Sequence, residues 1–282
     1  PRYGSAKDLP SFRNMRQQVS GMKLITRFVA RKTRKELIDV ERQMNELVAL
    51  VDRFYSVLGP RNWVFPDQLN TTDLGALSQL PPEDAERSLI ELYRYSHTLR
   101  VLVMRLRRFP ELQQRMPLLE RALADYAEGR FYGTVHLLLS VMDGFVNDVD
   151  KEQRRGLHAR DTDEMSAWDS VVGHHLGLAH AHATFIKGFR KTSNDEAFEL
   201  FRNGIVHGML TSYDNVVVAT KAWNRLFAVA DWADSRKKQL APAPKSQGWR
   251  ELLRTLVDSK RAKDALEQWR PSSLHAGESG FE

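Results

Sequence analysis

Cysteine is absent from the 282 residues, which removes disulfide frameworks, thiolate metal sites, iron–sulfur clusters and thiol nucleophiles together and fits a reducing compartment. Long apolar runs are lacking too. The longest stretches, such as Val216 to Ala219, are broken by charge within a turn or two, far short of the roughly 20 residues a membrane-spanning helix needs. Residues from Pro1 onward contain no signal-like apolar segment, and a cytoplasmic protein without a membrane span is the expectation. Four chemical signatures are also missing: a Gly-rich phosphate loop ending in Lys-Ser/Thr, G-x-G-x-x-G after a strand, G-x-S-x-G, and H-E-x-x-H. Nucleotide hydrolysis and serine hydrolysis lose their usual support.

What is present has the balance of an ordinary globular protein, 42% hydrophobic and 28% charged, and its length suits one large domain or two small ones. Charge is unevenly spread. Residues 1–42 hold eleven Lys or Arg against four Asp or Glu, leaving 31 against 32 in the remainder, so the net +6 sits in an N-terminal arm. Its densest strip is Arg27, Arg31, Lys32, Arg34 and Lys35. Spread around more than one face of a helix, those cations suit a polyanion such as RNA, which is bound by counterion release, and equally suit a solvated helix start.

Apolar residues recur at three and four throughout, predicting an all-α class. One or two helices are expected over 22–58, stopped at Gly59-Pro60, followed by an aromatic loop from Arg61 to Pro66 anchored in the core. Prolines and acids at Pro81-Pro82-Glu83-Asp84 start a helix expected to reach about Phe109. Another is expected from Met116-Pro117 to near Gly129, and a strongly apolar one from Tyr132 to Val149. A hydrophilic connection over 151–166 leads to expected helices from Ser166 to Arg190, from near Glu196, and from after Asn215 to about Lys237. A Pro-rich linker over 241–245, a short helix over 247–269 and a disordered Gly/Ser-containing tail complete the reading. The expected layout is a basic helical layer over 1–116, a four-helix bundle over 117–238, and the linker, short helix and tail over 239–282.

Two polar groupings invite chemistry. The histidines of 174–182 offer no pair three or four apart and no carboxylate between them, so no metal site is assigned there. The second is Phe201-Arg202-Asn203-Gly204-Ile205-Val206-His207-Gly208, expected inside a helix. Asn203 and His207 are one turn apart, and Arg202 lies about 140° around from His207 but can fold across. Gly204 and Gly208 would leave a bare surface for another backbone or a phosphate. Such a trio suits RNA phosphodiester cleavage, where the 2′-hydroxyl is the built-in nucleophile. Imidazole moves the proton, guanidinium stabilises the phosphorane, and an amide positions the phosphate. The same spacing also describes an Arg and a His hydrogen-bonded to neighbouring helix ends.

Arg202-Asn203, Ile205 and His207-Gly208 resemble the Arg-x4-6-His signature of the HEPN superfamily, helical ribonuclease domains of prokaryotic toxin and defence systems, with Asn203 in the commonly polar place after Arg. The resemblance covers about 117–238. It implies a metal-independent endoribonuclease without a cofactor, acting on RNA as a homodimer whose motif helices meet across a two-fold axis, with Arg202, Asn203 and His207 catalytic. A neutralising or triggering protein partner fits such a system. Asp143 and Asp148, interrupting the apolar 135–149 stripe, are candidates to orient His207 or bind its helix end, and surface placement is the alternative. Phe201, Ile205 and Met209 belong either to the interface or to the core. Two other readings stay open: a catalytically silent HEPN-like scaffold for a protein or nucleotide, and a nucleic-acid-binding regulator using the basic arm.

Overall fold

The structure, a computed structural model, describes residues 3–26, 31–151, 154–167 and 169–240, with every side chain among them except those at 23–26, 31–34, 96, 239 and 240. It is all-α. The helices are α1 (Pro10–Thr26), α2 (Arg31–Leu58), α3 (Thr71–Leu77), α4 (Pro82–Arg94), α5 (Ser96–Arg105), α6 (Met116–Ala127), α7 (Phe131–Val149), α8 (Leu178–Phe185), α9 (Arg202–Val206) and α10 (Val216–Leu240). Among the described residues there is no strand, only two isolated bridges, Tyr3 with His174 and Ser193 with Leu210. No described helix is long and apolar enough to cross a membrane.

α6 packs on α7, α7 on α10, and α10 on α8. α7 buries Val135, Leu138, Leu139, Val141, Met142, Phe145 and Val146, leaving a narrow polar strip that includes Asp143 and Asn147. One apolar core runs from Tyr3 to Ala233 and includes Trp63, Val64 and Phe65 of the aromatic loop.

α10 is buried on every side from Val218 to Ala233, although its sequence pattern predicts one apolar face. Its polar residues join it to the first hundred residues and to the stretch before α9. Val64 N–H donates to Asn224 Oδ1 and Asn224 Nδ2 donates back to the Val64 carbonyl. Gln68 Nε2 donates to both carboxylate oxygens of Asp231. Lys221, 3% exposed, pairs with Glu199 at 2.6 Å and donates to the Phe198 carbonyl.

Three expected helices come out differently. The one from Pro82 toward Phe109 breaks at Tyr95, which is extended (φ −61°, ψ 107°), before α5 resumes and carries Leu99, Leu102 and Val103 into the core. Of the helix expected over 166–190, only Leu178–Phe185 forms. Before it, the chain doubles back so tightly that a Cβ on Gly173 would stand 2.2 Å from the Ala167 carbonyl oxygen and one on Gly177 2.3 Å from that of Val172. This loop takes up the N-terminal segment: Tyr3 N–H donates to the Gly173 carbonyl and His175 N–H to that of Tyr3. The helix expected from near Glu196 forms only from Arg202, and the chain before it is irregular, because Ser193 N–H donates to Met209, Thr211 N–H to Ser193 and Ala197 N–H to Ser212, cross-links a helix would forbid. Arg27 and residues 241–282, with the expected linker, helix and tail, lie outside the described residues.

Candidate functional site

α9 is a single turn. Arg202 is its first residue, His207 caps its end, and the His207 N–H donates to the Asn203 carbonyl at 3.2 Å. The motif therefore lies on a short turn between two loops and not inside a long helix as expected. Gly208 stops the turn in the left-handed region (φ 66°) with nothing within 4 Å of a Cβ placed there, and the Met209 and Leu210 N–H groups fold back onto the Gly204 carbonyl. Gly204 is not the bare surface its sequence suggests. A Cβ there would lie 2.7 Å from Leu210 Cδ1 and 2.9 Å from Phe189 Cδ2, so it makes room for the protein's own side chains. Ile205 is core, and Phe201 is half-buried edge-on against Phe189.

Arg202 is buried, and its Nη2 meets Asp143 Oδ2 at 2.9 Å while Nη1 meets Asn203 Oδ1 at 3.3 Å. Asn203 Nδ2 donates to the Ile186 carbonyl just past α8, tying the motif to that helix end. His207 is exposed, and no described residue hydrogen-bonds its ring. Of the two aspartates singled out on α7, Asp143 meets Arg202 and not His207. Asp148 pairs with Arg115 Nη1 at 2.7 Å, because one more residue along the helix turns it about 100° further around from Asn147.

The connection 154–165 supplies a residue with no signal in the sequence. His158 Nδ1 lies 3.5 Å from Asp143 Oδ1, placing Asp143 between an imidazole and a guanidinium. Three buried polar atoms here have no hydrogen-bond partner: Asp143 Oδ1, Arg202 Nε and, one turn along α7, Asn147 Oδ1. Unsatisfied buried groups are costly and mark where a ligand or water can be held.

A basic rim lies beside the motif. Lys187, Arg190 and Lys191 are exposed on the loop that leads toward Ser193, and Lys187 Nζ stands 5.0 Å above the Phe201 ring. The run Phe185-Ile186-Lys187-Gly188-Phe189-Arg190-Lys191 is visible in the sequence, but a continuous helix would have dispersed its charges. Of the N-terminal strip, Arg31, Lys32, Arg34 and Lys35 occupy the first turns of α2, and the Lys35 side chain is exposed.

Two of the 174–182 histidines, His174 and His182, are buried and structural. His174 stacks on Tyr55 with ring centroids 4.2 Å apart, and His182 Nε2 bonds the Arg160 carbonyl at 2.9 Å. Burial pushes both down to about 4. Among the described residues, no group of three or more His, Cys, Asp or Glu is arranged to hold a metal ion.

No protein-family model, curated protein or solved structure matches the chain.

Proposed function

We propose that the protein is a HEPN-type endoribonuclease that cleaves RNA by 2′-hydroxyl attack, in the manner of prokaryotic toxin and phage-defence enzymes. The observation that carries this reading is the juxtaposition on one turn of an anchored guanidinium, Arg202 on Asp143, and an exposed imidazole, His207, one turn along from the Asn203 amide. Arg202 stabilises the phosphorane, Asn203 positions the phosphate and His207 transfers a proton. The substrate supplies its own nucleophile, so the residues need only move protons and offset charge. The rim of Lys187, Arg190 and Lys191 and the strip running from Arg27 to Lys35 attract the RNA backbone. A homodimer joined over the exposed Val206, His207 and Gly208 would close the cleft against water. Purified protein and the Arg202→Ala, His207→Ala double variant, incubated with total tRNA in EDTA, test the reading: cleavage by the first and not the second supports it, and equal background overturns it.

One observation favours a second reading, a silent scaffold binding a protein or nucleotide. Two of the three Arg202 guanidinium nitrogens are already spent on Asp143 and Asn203, as in a purely structural pair. That reading expects the double variant to keep partner binding or lose its fold, with no cleavage by either form.

A further inference from the structure

We infer that His158 is the second proton-transfer group of the site, working with His207 inside one chain; this rests on the ribonuclease reading above. Cleavage by the 2′-hydroxyl needs two proton movements. As the O2′–P bond forms, the hydroxyl proton must leave, and as the P–O5′ bond breaks, the departing oxygen must gain one. A single imidazole on an exposed turn serves one of these at a time.

His158 has the surroundings of the second. Its Nδ1 faces Asp143 Oδ1 at 3.5 Å, within ion-pair reach but beyond a hydrogen bond, and that oxygen is buried without a hydrogen-bond partner, so a small movement of the ring would complete the bond. With Nδ1–H directed at Asp143, the lone pair sits on Nε2, and the side chain is 42% exposed and open to substrate. The other carboxylate oxygen of Asp143 holds Arg202 at 2.9 Å. One aspartate thus sets the position of both the imidazole and the phosphate-binding guanidinium. In this arrangement His158 Nε2 takes the 2′-hydroxyl proton, His207 gives one to O5′, and Arg202 faces the phosphorane. Asp143 from α7 faces His158, and Arg202 from α9 stands on the other oxygen of that carboxylate. On its own loop Arg155 is engaged with Glu164 at 2.5 Å and Arg160 with Asp150 at 3.1 Å.

Gly156 shows how closely the pair is fitted. A Cβ at that position would stand 2.8 Å from His158 Nδ1 and 3.3 Å from Asp143 Oδ1. Its backbone lies in a region open to any residue (φ −53°), so a methyl group there displaces the imidazole without straining the chain. Gly156 is a positioning residue.

The test is a pH–rate profile of RNA cleavage for wild type, His158→Gln, His158→Ala and Gly156→Ala, each checked for unchanged circular dichroism. Wild type should give a bell with two limbs. His158→Gln should lose about 100-fold or more in kcat, as expected for loss of a general base, together with the acidic limb. His158→Ala should regain activity with added imidazole, and Gly156→Ala should lose rate with both limbs kept. If wild type cleaves and His158→Gln keeps its rate and both limbs, the inference falls while the ribonuclease reading stands. If wild type does not cleave, both fall.

Discussion

Asn224 and Val64, 160 residues apart, exchange two hydrogen bonds: the Val64 N–H donates to Asn224 Oδ1 at 3.0 Å, and Asn224 Nδ2 donates to the Val64 carbonyl at 2.8 Å. The side-chain amide imitates a paired backbone. It satisfies both polar groups of a fully buried residue in the aromatic loop, and Nδ2 also reaches the Tyr93 hydroxyl at 3.1 Å. α10 and the aromatic loop of the N-terminal layer are therefore joined by polar as well as apolar contact.

Asn224→Ala strands a buried N–H and a buried carbonyl at once. Each orphan costs about 1–3 kcal/mol, so the variant should lose on the order of 3 kcal/mol in urea unfolding, with an unchanged denaturant slope. A loss below about 0.5 kcal/mol would mean that water reaches the loop.

The aromatic loop and the polar face of α10 also mark how far the sequence could be read. The helices α6, α7 and α10 follow from apolar spacing alone, and the burial of Trp63, Val64 and Phe65 from their bulk. The full burial of α10 does not follow, because Lys221, Asn224 and Asp231 look like a solvated face until their partners Glu199, Val64 and Gln68 are brought in from far along the chain. At the site, Arg202, Asn203 and His207 are legible as a trio, and Asp143 as a polar break in an apolar stripe. His158 is not, since nothing in a charged loop distinguishes a histidine that will meet an aspartate on another element. The one-turn length of α9 is equally hidden. It depends on Ser193 and Ala197 bonding across to Met209 and Ser212, a pairing that local helix propensity does not register.

Asp231 makes stability depend on pH. Burial, then the charge of Asp67, pushes its carboxyl up to about 8, so the folded state keeps a proton that the unfolded chain releases at an ordinary carboxylate pKa. Its contribution is complete below that ordinary value and is lost as pH rises through about 8. Asp231→Asn cannot ionise, and its thermal midpoint should gain on wild type between about pH 5 and about pH 9. His174 and His182 act in the opposite sense: held neutral, they contribute above their ordinary pKa and lose that contribution as pH falls through about 4. Their effect lies on the acid side and is common to wild type and variant, so the difference between the curves reports Asp231 together with Asp67, whose own carboxyl burial also raises. Wild-type and variant curves that run parallel between about pH 5 and about pH 8 would contradict the assignment.

Gly204 and Gly208 should respond differently to substitution. Gly204→Ala pushes a methyl against Leu210 and Phe189 at under 3 Å and should cost about 1–3 kcal/mol by overpacking. Gly208 is open but left-handed, so Gly208→Asn should be nearly neutral and Gly208→Val should cost about 1–2 kcal/mol. Thermal denaturation of the three variants separates these effects. Equal tolerance of Ala at 204 and Val at 208 would mean that the turn is not held as described.

The ends of the cleaved RNA report which oxygen attacked the phosphorus. An oligonucleotide cut by the wild-type protein in EDTA should leave a 2′,3′-cyclic phosphate, or the 3′-phosphate derived from it, opposite a 5′-hydroxyl. A single 2′-deoxy substitution at the cut site should abolish cleavage there, and the Arg202→Ala, His207→Ala variant should leave the RNA intact. Products bearing 5′-phosphate and 3′-hydroxyl, cleavage at the 2′-deoxy position, or equal background from wild type and variant would each contradict a site built on Arg202, Asn203 and His207.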